Sequence, residues 1–180
     1  LNKLLMLLQT CEFNADGINL SSFETIIDNT AQIFIKIQST QKHAFFIGNG
    51  GSAAIATHFT ADFLNKGHIK TISLYDSSLI TCLSNDYGYS FIFSKQIERI
   101  SDEGDILIAI SSSGESPNIV KAVEAAKLNG LQVLSLTGFN SENTVRRLSD
   151  YSIYVPSNEY GYVESIHNII LQQVVAVIGA

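Results

Sequence analysis

A chain of 180 residues, 46% of them apolar and only 2 of them Pro, can build one α/β domain with a proper core but not two ordinary ones. That composition excludes disordered and collagen-like chains. No apolar run approaches the ~20 residues that span a bilayer, and the closest, Ile169–Ile178, is interrupted by Gln172 and Gln173. A net charge of −6 without any run of Lys or Arg argues against direct nucleic-acid binding, which needs a basic stripe to neutralise phosphates.

The segment Leu1–Leu8 is apolar but carries Lys3 and no small-residue cleavage site, so it reads as a helix rather than a signal peptide. The chain has no initiator Met and is expected to be trimmed relative to the native protein. The first 40 residues read as helices. The clearest opens at a capping box, Ser21-Ser22-Phe23-Glu24, and continues with Phe23, Ile26, Ile27, Ala31, Phe34 and Ile37 on one stripe. Cys11 and Cys82 fall in no CxxC pattern, which predicts free thiols and a cytoplasmic setting.

Five short apolar runs follow: His43–Ile47, Lys70–Tyr75, Asp105–Ile110, Leu131–Leu136 and Tyr151–Val155. Helical stretches are expected from Ser52, Ser90, Ser116, Asn143 and Glu164. This alternation predicts βαβ units, hence a parallel sheet covered on both faces in a three-layer α/β sandwich. One domain over residues 1–180 is expected, with N-terminal helices over 1–41 and the sheet core and C-terminal helix over 42–180. The terminal helices keep wide apolar stripes, including Ile169, Ile170, Val174, Val175 and Val177, which predict a homo-oligomer.

Two loops carry the chemistry. Gly48-Asn49-Gly50-Gly51-Ser52 follows one strand and opens a helix, so its backbone can approach an anion and its free N–H groups can face one. Ser52 can cap that helix or donate its hydroxyl to a ligand. The alternative is a tight turn that merely needs glycine. The second loop, Ser111-Ser112-Ser113-Gly114-Glu115-Ser116, ends at Pro117, a residue suited to a helix start. Hydroxyls and amides in this loop could hold a phosphate without Arg or Lys, or could simply satisfy turn hydrogen bonds. In an open parallel sheet both loops lie where ligands bind, beyond the strand carboxyl ends. Gly48-x-Gly50-x-x-Ala53 also matches a dinucleotide fingerprint, but the next acid, Asp76, lies too far along and the serine loop has no place in that reading. No nucleotide cofactor is expected.

With His58, Ser84-Asn85-Asp86-Tyr87-Gly88 and Glu164-Ser165-Ile166-His167 added to these loops, the chain resembles the phosphoheptose isomerase branch of the sugar isomerase (SIS) domain family over nearly its whole length. The resemblance implies a flavodoxin-like sheet of five parallel strands with extra N-terminal helices, and a homotetramer. It implies a phosphosugar isomerase interconverting sedoheptulose 7-phosphate and a heptose 7-phosphate for surface polysaccharide, lipopolysaccharide included. Ser111, Ser112, Ser113 and Ser116 would hold the phosphate, and Asn49, Gly50, Gly51, Ser52 and Asp86 would line the sugar. The zinc-containing members of the family place metal ligands at the positions of His58, Asp62, Glu164 and Gln172. Here Asp62 stands for a Glu, Glu164 for a Gln and Gln172 for a catalytic His. Glu164 is then the expected base, with Asp62 and His58 as the other catalytic candidates, because only an ionisable group can carry the proton between C1 and C2. The alternative is a family member without catalysis, which binds a sugar phosphate or acts in assembly with a replication initiator.

Overall fold

The computed structural model describes residues 1–15 and 17–180. Helix α1 (Asn2–Thr10) leads into a hairpin, β1 (Glu12–Ala15) and β2 (Ile18–Leu20), and then α2 (Phe23–Ser39). The five expected strands follow as β3 (His43–Ile47), β4 (Lys70–Ser73), β5 (Ile106–Ser111), β6 (Gln132–Thr137) and β7 (Tyr151–Tyr154). Between and after them run α3 (Gly51–Asn65), α4 (Ser77–Tyr87), α5 (Ser94–Ile100), α6 (Pro117–Leu128), α7 (Thr144–Leu148) and α8 (Tyr160–Ile178). Strands β3 to β7 pair in parallel in the spatial order β7-β6-β5-β3-β4. Every residue of β5 is buried, as the centre of a doubly covered sheet requires. Its Ile106, Ile108 and Ile110 enter one core beneath α2, α3 and α8, while Leu107 and Ala109 enter a second core beneath α5 and α6. The Phe34 ring packs 4.2 Å from Phe63 and 6.3 Å from Phe46, joining α2, α3 and β3. No helix among the described residues is long and apolar enough to cross a membrane.

The N-terminal segment differs from the all-helical expectation, part of which, at Asp16, lies outside the described residues. Strand β1 pairs antiparallel with β7, with Phe13 opposite Ile153, so the sheet has seven strands rather than five. The signal was present: Asp16-Gly17 flanked by the alternating Phe13, Ala15, Ile18 and Leu20 is a hairpin pattern. Phe13 is buried and stacks on Tyr151, which supplies the packing that a lone hairpin lacks. At the start of α2 the Ser22 hydroxyl accepts the Thr25 N–H at 3.1 Å, so Glu24 is not the reciprocal partner of a capping box. Helix α4 was not anticipated, although Leu79, Ile80, Leu83 and Tyr87 recur at helical spacing in it; none of its residues is fully buried. Of the apolar residues on α8 that suggested an oligomer, Ile170, Val174 and Val175 are used inside the chain's own core.

Strand β3 pairs with β4 on one side and β5 on the other. The chain therefore reverses its direction of winding between β3 and β5, and the loops that leave these neighbouring strands open side by side.

Candidate active site

The glycine loop leaves β3 at Ile47 and enters α3 through Gly50, which takes the capping position at φ +53. Ser52, expected as a cap, sits instead in the first turn and is almost fully buried. The loop is pinned from the side: the Gly48 N–H donates to the Tyr75 hydroxyl at 2.6 Å, and that hydroxyl donates to the Gly48 carbonyl at 2.9 Å. Burial pushes the Tyr75 phenol well above its ordinary value, so it stays protonated and keeps both bonds.

The serine loop is a tight turn that also presents donors. Ser111 Oγ accepts the Gly114 N–H at 3.2 Å and Ser113 Oγ accepts the Glu115 N–H at 3.3 Å, and each hydroxyl keeps its own hydrogen to donate. Ser116 caps α6 by position but makes no side-chain cap bond, so its hydroxyl is free for a ligand at the helix start. Gly114 has φ +65, and a Cβ there would overlap the Asn143 side chain, which is why the turn needs glycine. Glu115, an acid in a loop suited to anions, is turned away. Its carboxylate accepts the Thr144 N–H and the Thr144 hydroxyl, both at 2.8 Å, at the start of α7.

The two loops line one cleft of about 250 Å³ with Asn49, Gly50, Gly51, Ser52, Ser111, Ser112, Ser113 and Ser116, together with Ile110, Tyr160 and Glu164. No Lys or Arg is among these residues. An anion there would be held by hydroxyls, backbone amides and the positive ends of α3 and α6. Glu164 lies one turn inside α8, which starts at Tyr160 rather than at Glu164 itself. Its carboxylate rests directly on Gly51, so closely that a Cβ at position 51 would overlap both carboxylate oxygens. Tyr160 was missed in the sequence, although its position four residues before Glu164 puts it on the same helix face.

Other expected residues are not brought to the cleft. His58 and Asp62 lie 7 and 11 residues beyond Gly51, and at 1.5 Å per residue the helix carries them roughly 10 Å or more from the loop. There Asp62 pairs with Lys66 at 3.0 Å and faces His58 at 3.7 Å, an arrangement of the helix surface. Gln172 is displaced by about 12 Å along α8 from Glu164 for the same reason. Among the described residues no three His, Cys, Asp or Glu side chains are gathered as a metal-holding group. His58, Asp62 and Glu164 are therefore not gathered as such a group within one chain. Asp86 is also outside the cleft, on exposed α4, where it accepts from Asn85 at 3.0 Å and Cys82 at 3.6 Å.

His167 lies fully buried one turn beyond Glu164, with Nε2 at 3.2 Å from the Thr137 carbonyl at the end of β6. Burial lowers its pKa to about 4, so the ring is neutral and Nε2–H is the donor. In the unfolded chain the imidazole titrates near ~6.5. As pH falls below that value the unfolded state takes up the proton first, so stability is full above pH ~6.5 and declines toward pH ~4, by up to about 3 kcal/mol. Urea midpoints of the wild type should fall between pH 7.5 and 5, and His167→Gln should remove most of that slope; identical slopes would contradict the assignment. Gly51→Ala should leave the melting temperature within about 2 °C, because only the flexible end of Glu164 must give way. Its crystal structure should show the Glu164 carboxylate withdrawn from the cleft.

Comparison with known proteins agrees with this geometry. The SIS domain model matches residues 20–138. A phosphoheptose isomerase of Fusobacterium nucleatum is 38% identical over 157 residues, covering 84% of this chain and 78% of that protein. One from Helicobacter pylori is 35% identical over 159 residues, covering 85% and 82% respectively. The structure of a phosphoheptose isomerase from Neisseria gonorrhoeae superposes with a TM-score of 0.80 at 30% identity, covering 86% of this chain and 85% of that one. The chain belongs to the SIS domain family, in its phosphoheptose isomerase branch.

Proposed function

We propose that the cleft isomerises a seven-carbon sugar phosphate, interconverting sedoheptulose 7-phosphate and a heptose 7-phosphate. The observation that carries this reading is the Glu164 carboxylate resting on Gly51 in the same cleft as the serine loop. The phosphate is held at Ser111–Ser116 and the start of α6, which leaves the carbonyl end of the open-chain sugar beside Asn49, Gly51 and Glu164. One carboxylate can carry the proton between the carbons, taking it from C1 of the ketose and returning it to C2 on the same face of the enediolate, while the O1 hydroxyl proton passes to O2. Charge develops on the oxygens at C1 and C2, where the donors of the glycine loop and the start of α3 can stabilise it. Uncharged donors suit the phosphate end because they fix it without placing a fixed cation next to the base.

The proposed setting is the cytoplasm, and the proposed role is supply of heptose for surface polysaccharide. A homo-oligomer, proposed as a tetramer, is supported by α4, in which no residue is fully buried and Leu79 and Tyr87 are exposed. Exposed Leu5 and Met6 on α1 point the same way.

A second reading, a sugar-phosphate-binding protein without turnover, is favoured by one observation: His58 and Asp62 stand outside the cleft, and Glu164 is its only carboxylate among the described residues. Turnover in deuterated water separates the two. The isomerase incorporates deuterium at C2 of the heptose phosphate, whereas a binding protein returns the ketose unchanged. Glu164→Gln should lower kcat by about 10²–10⁴-fold while sugar-phosphate affinity persists, and an active variant would place the base elsewhere. Ser116→Ala should weaken binding of the sugar phosphate by roughly 1–2 kcal/mol in calorimetry, the loss expected for one hydrogen bond to a charged group.

A further inference from the structure

The Asn49 carboxamide, which lines the cleft, is held by partners from two distant parts of the chain. Its Nδ2–H donates to Asn118 Oδ1 at 2.9 Å, and Asn118 Nδ2–H donates back to Asn49 Oδ1 at 2.9 Å. The Tyr89 hydroxyl donates to the same Asn49 Oδ1 at 3.1 Å. Asn118 is almost fully buried as the second residue of α6, the helix that rises from the serine loop. Tyr89 begins the short 3-10 turn Tyr89–Phe91 that follows α4.

The valences can be counted. A carboxamide oxygen has two lone pairs and its nitrogen two hydrogens. Both lone pairs of Asn49 Oδ1 are taken, one by Asn118 and one by Tyr89, and one of the two N–H groups is taken by Asn118. A single N–H is left over. Asn49 can therefore donate to a ligand in the cleft and cannot accept from one. Two hydrogen bonds received at the oxygen also polarise the amide and strengthen that remaining donor.

We propose that Tyr89 and Asn118 are positioning residues that fix Asn49 as a donor to the oxygen on which charge develops during isomerisation. The proposal rests on the isomerase reading and adds to it the polarity and aim of one group. A sugar hydroxyl that must donate finds no acceptor at Asn49, whereas a carbonyl oxygen becoming an enediolate oxygen does find a donor. The bond strengthens as charge grows, so its contribution belongs to the transition state more than to the bound sugar. The Asn49–Asn118 pair also ties the glycine loop to the helix at the phosphate end, so the two ends of the substrate site keep a fixed separation.

The test is Tyr89→Phe, which removes one hydroxyl from a residue that is 56% exposed and leaves the ring in place. With sedoheptulose 7-phosphate as substrate, kcat should fall by roughly 5- to 20-fold with KM within about twofold and the melting temperature unchanged, the pattern of a lost transition-state interaction. Tyr87→Phe, two residues away and outside the network, serves as the control and should match the wild type. An unchanged kcat, or a rise in KM alone, overturns the proposal. Side-chain amide NMR gives a readout that does not need turnover. In the wild type, added sedoheptulose 7-phosphate should shift one Asn49 Nδ2 proton strongly, and in Tyr89→Phe that shift should shrink. If the wild type shows no turnover, the isomerase reading fails by itself, while absence of the NMR shift overturns the assignment of Asn49 as donor.

Discussion

Between β3 and β5 the chain reverses the side on which it adds strands, and that reversal leaves the first turns of α3 and α6 facing a common space. Each helix start brings about half a unit of positive charge from its unpaired N–H groups. Two of them together attract an anion where no Lys or Arg side chain lines the cleft. The acidic composition of the chain is therefore no obstacle to binding a phosphorylated ligand, since the attraction comes from the backbone and from strand order. Moving β5 away from β3 would separate the two loops whatever their sequences.

The same field bears on Glu164. A carboxylate close to a bound phosphate would ordinarily be repelled by it, yet this one rests on Gly51 at the start of α3. The carboxylate thus sits at the positive end of that helix. Glycine at position 51 is needed for space rather than for backbone conformation, because any side chain there would occupy the volume of the carboxylate. On the proposed assignment each negative group has its own helix, the phosphate at α6 and the base at α3.

Most of this was legible in the sequence where the signal is local. The strands from β3 to β7 are apolar runs bounded by turn residues, and both loops declare themselves through Gly and Ser at strand ends. What spacing alone does not give is position along a helix. The spacing of His58 and Asp62 fixes the face they share but not their height above the loop, so both were expected in a cleft that the rise of α3 carries them away from. Asp86, expected from the resemblance alone, lies on exposed α4 outside the cleft of the single chain. Asn118 was out of reach in another way: its partner Asn49 is 69 residues distant, and no periodicity links positions so far apart. Tyr75 and Tyr89, which hold Gly48 and Asn49 from 27 and 40 residues away, belong with it. The β1–β2 hairpin, by contrast, was written plainly in Asp16-Gly17 and was masked by the helical segments on either side.

Glu115 gives the serine loop a built-in competitor for its own ligand. As long as its carboxylate is bound to the backbone N–H and hydroxyl of Thr144, the loop presents only neutral donors to the cleft. Loosening of α7 would free that negative charge within a few residues of the phosphate position, and the two anions would then repel each other. With the phosphate at the proposed site, affinity for it would be coupled to the order of a five-residue helix that does not line the cleft. By reciprocity, a phosphate bound at the proposed site would favour the arrangement in which Glu115 stays bonded to Thr144, and so would hold α7 in place.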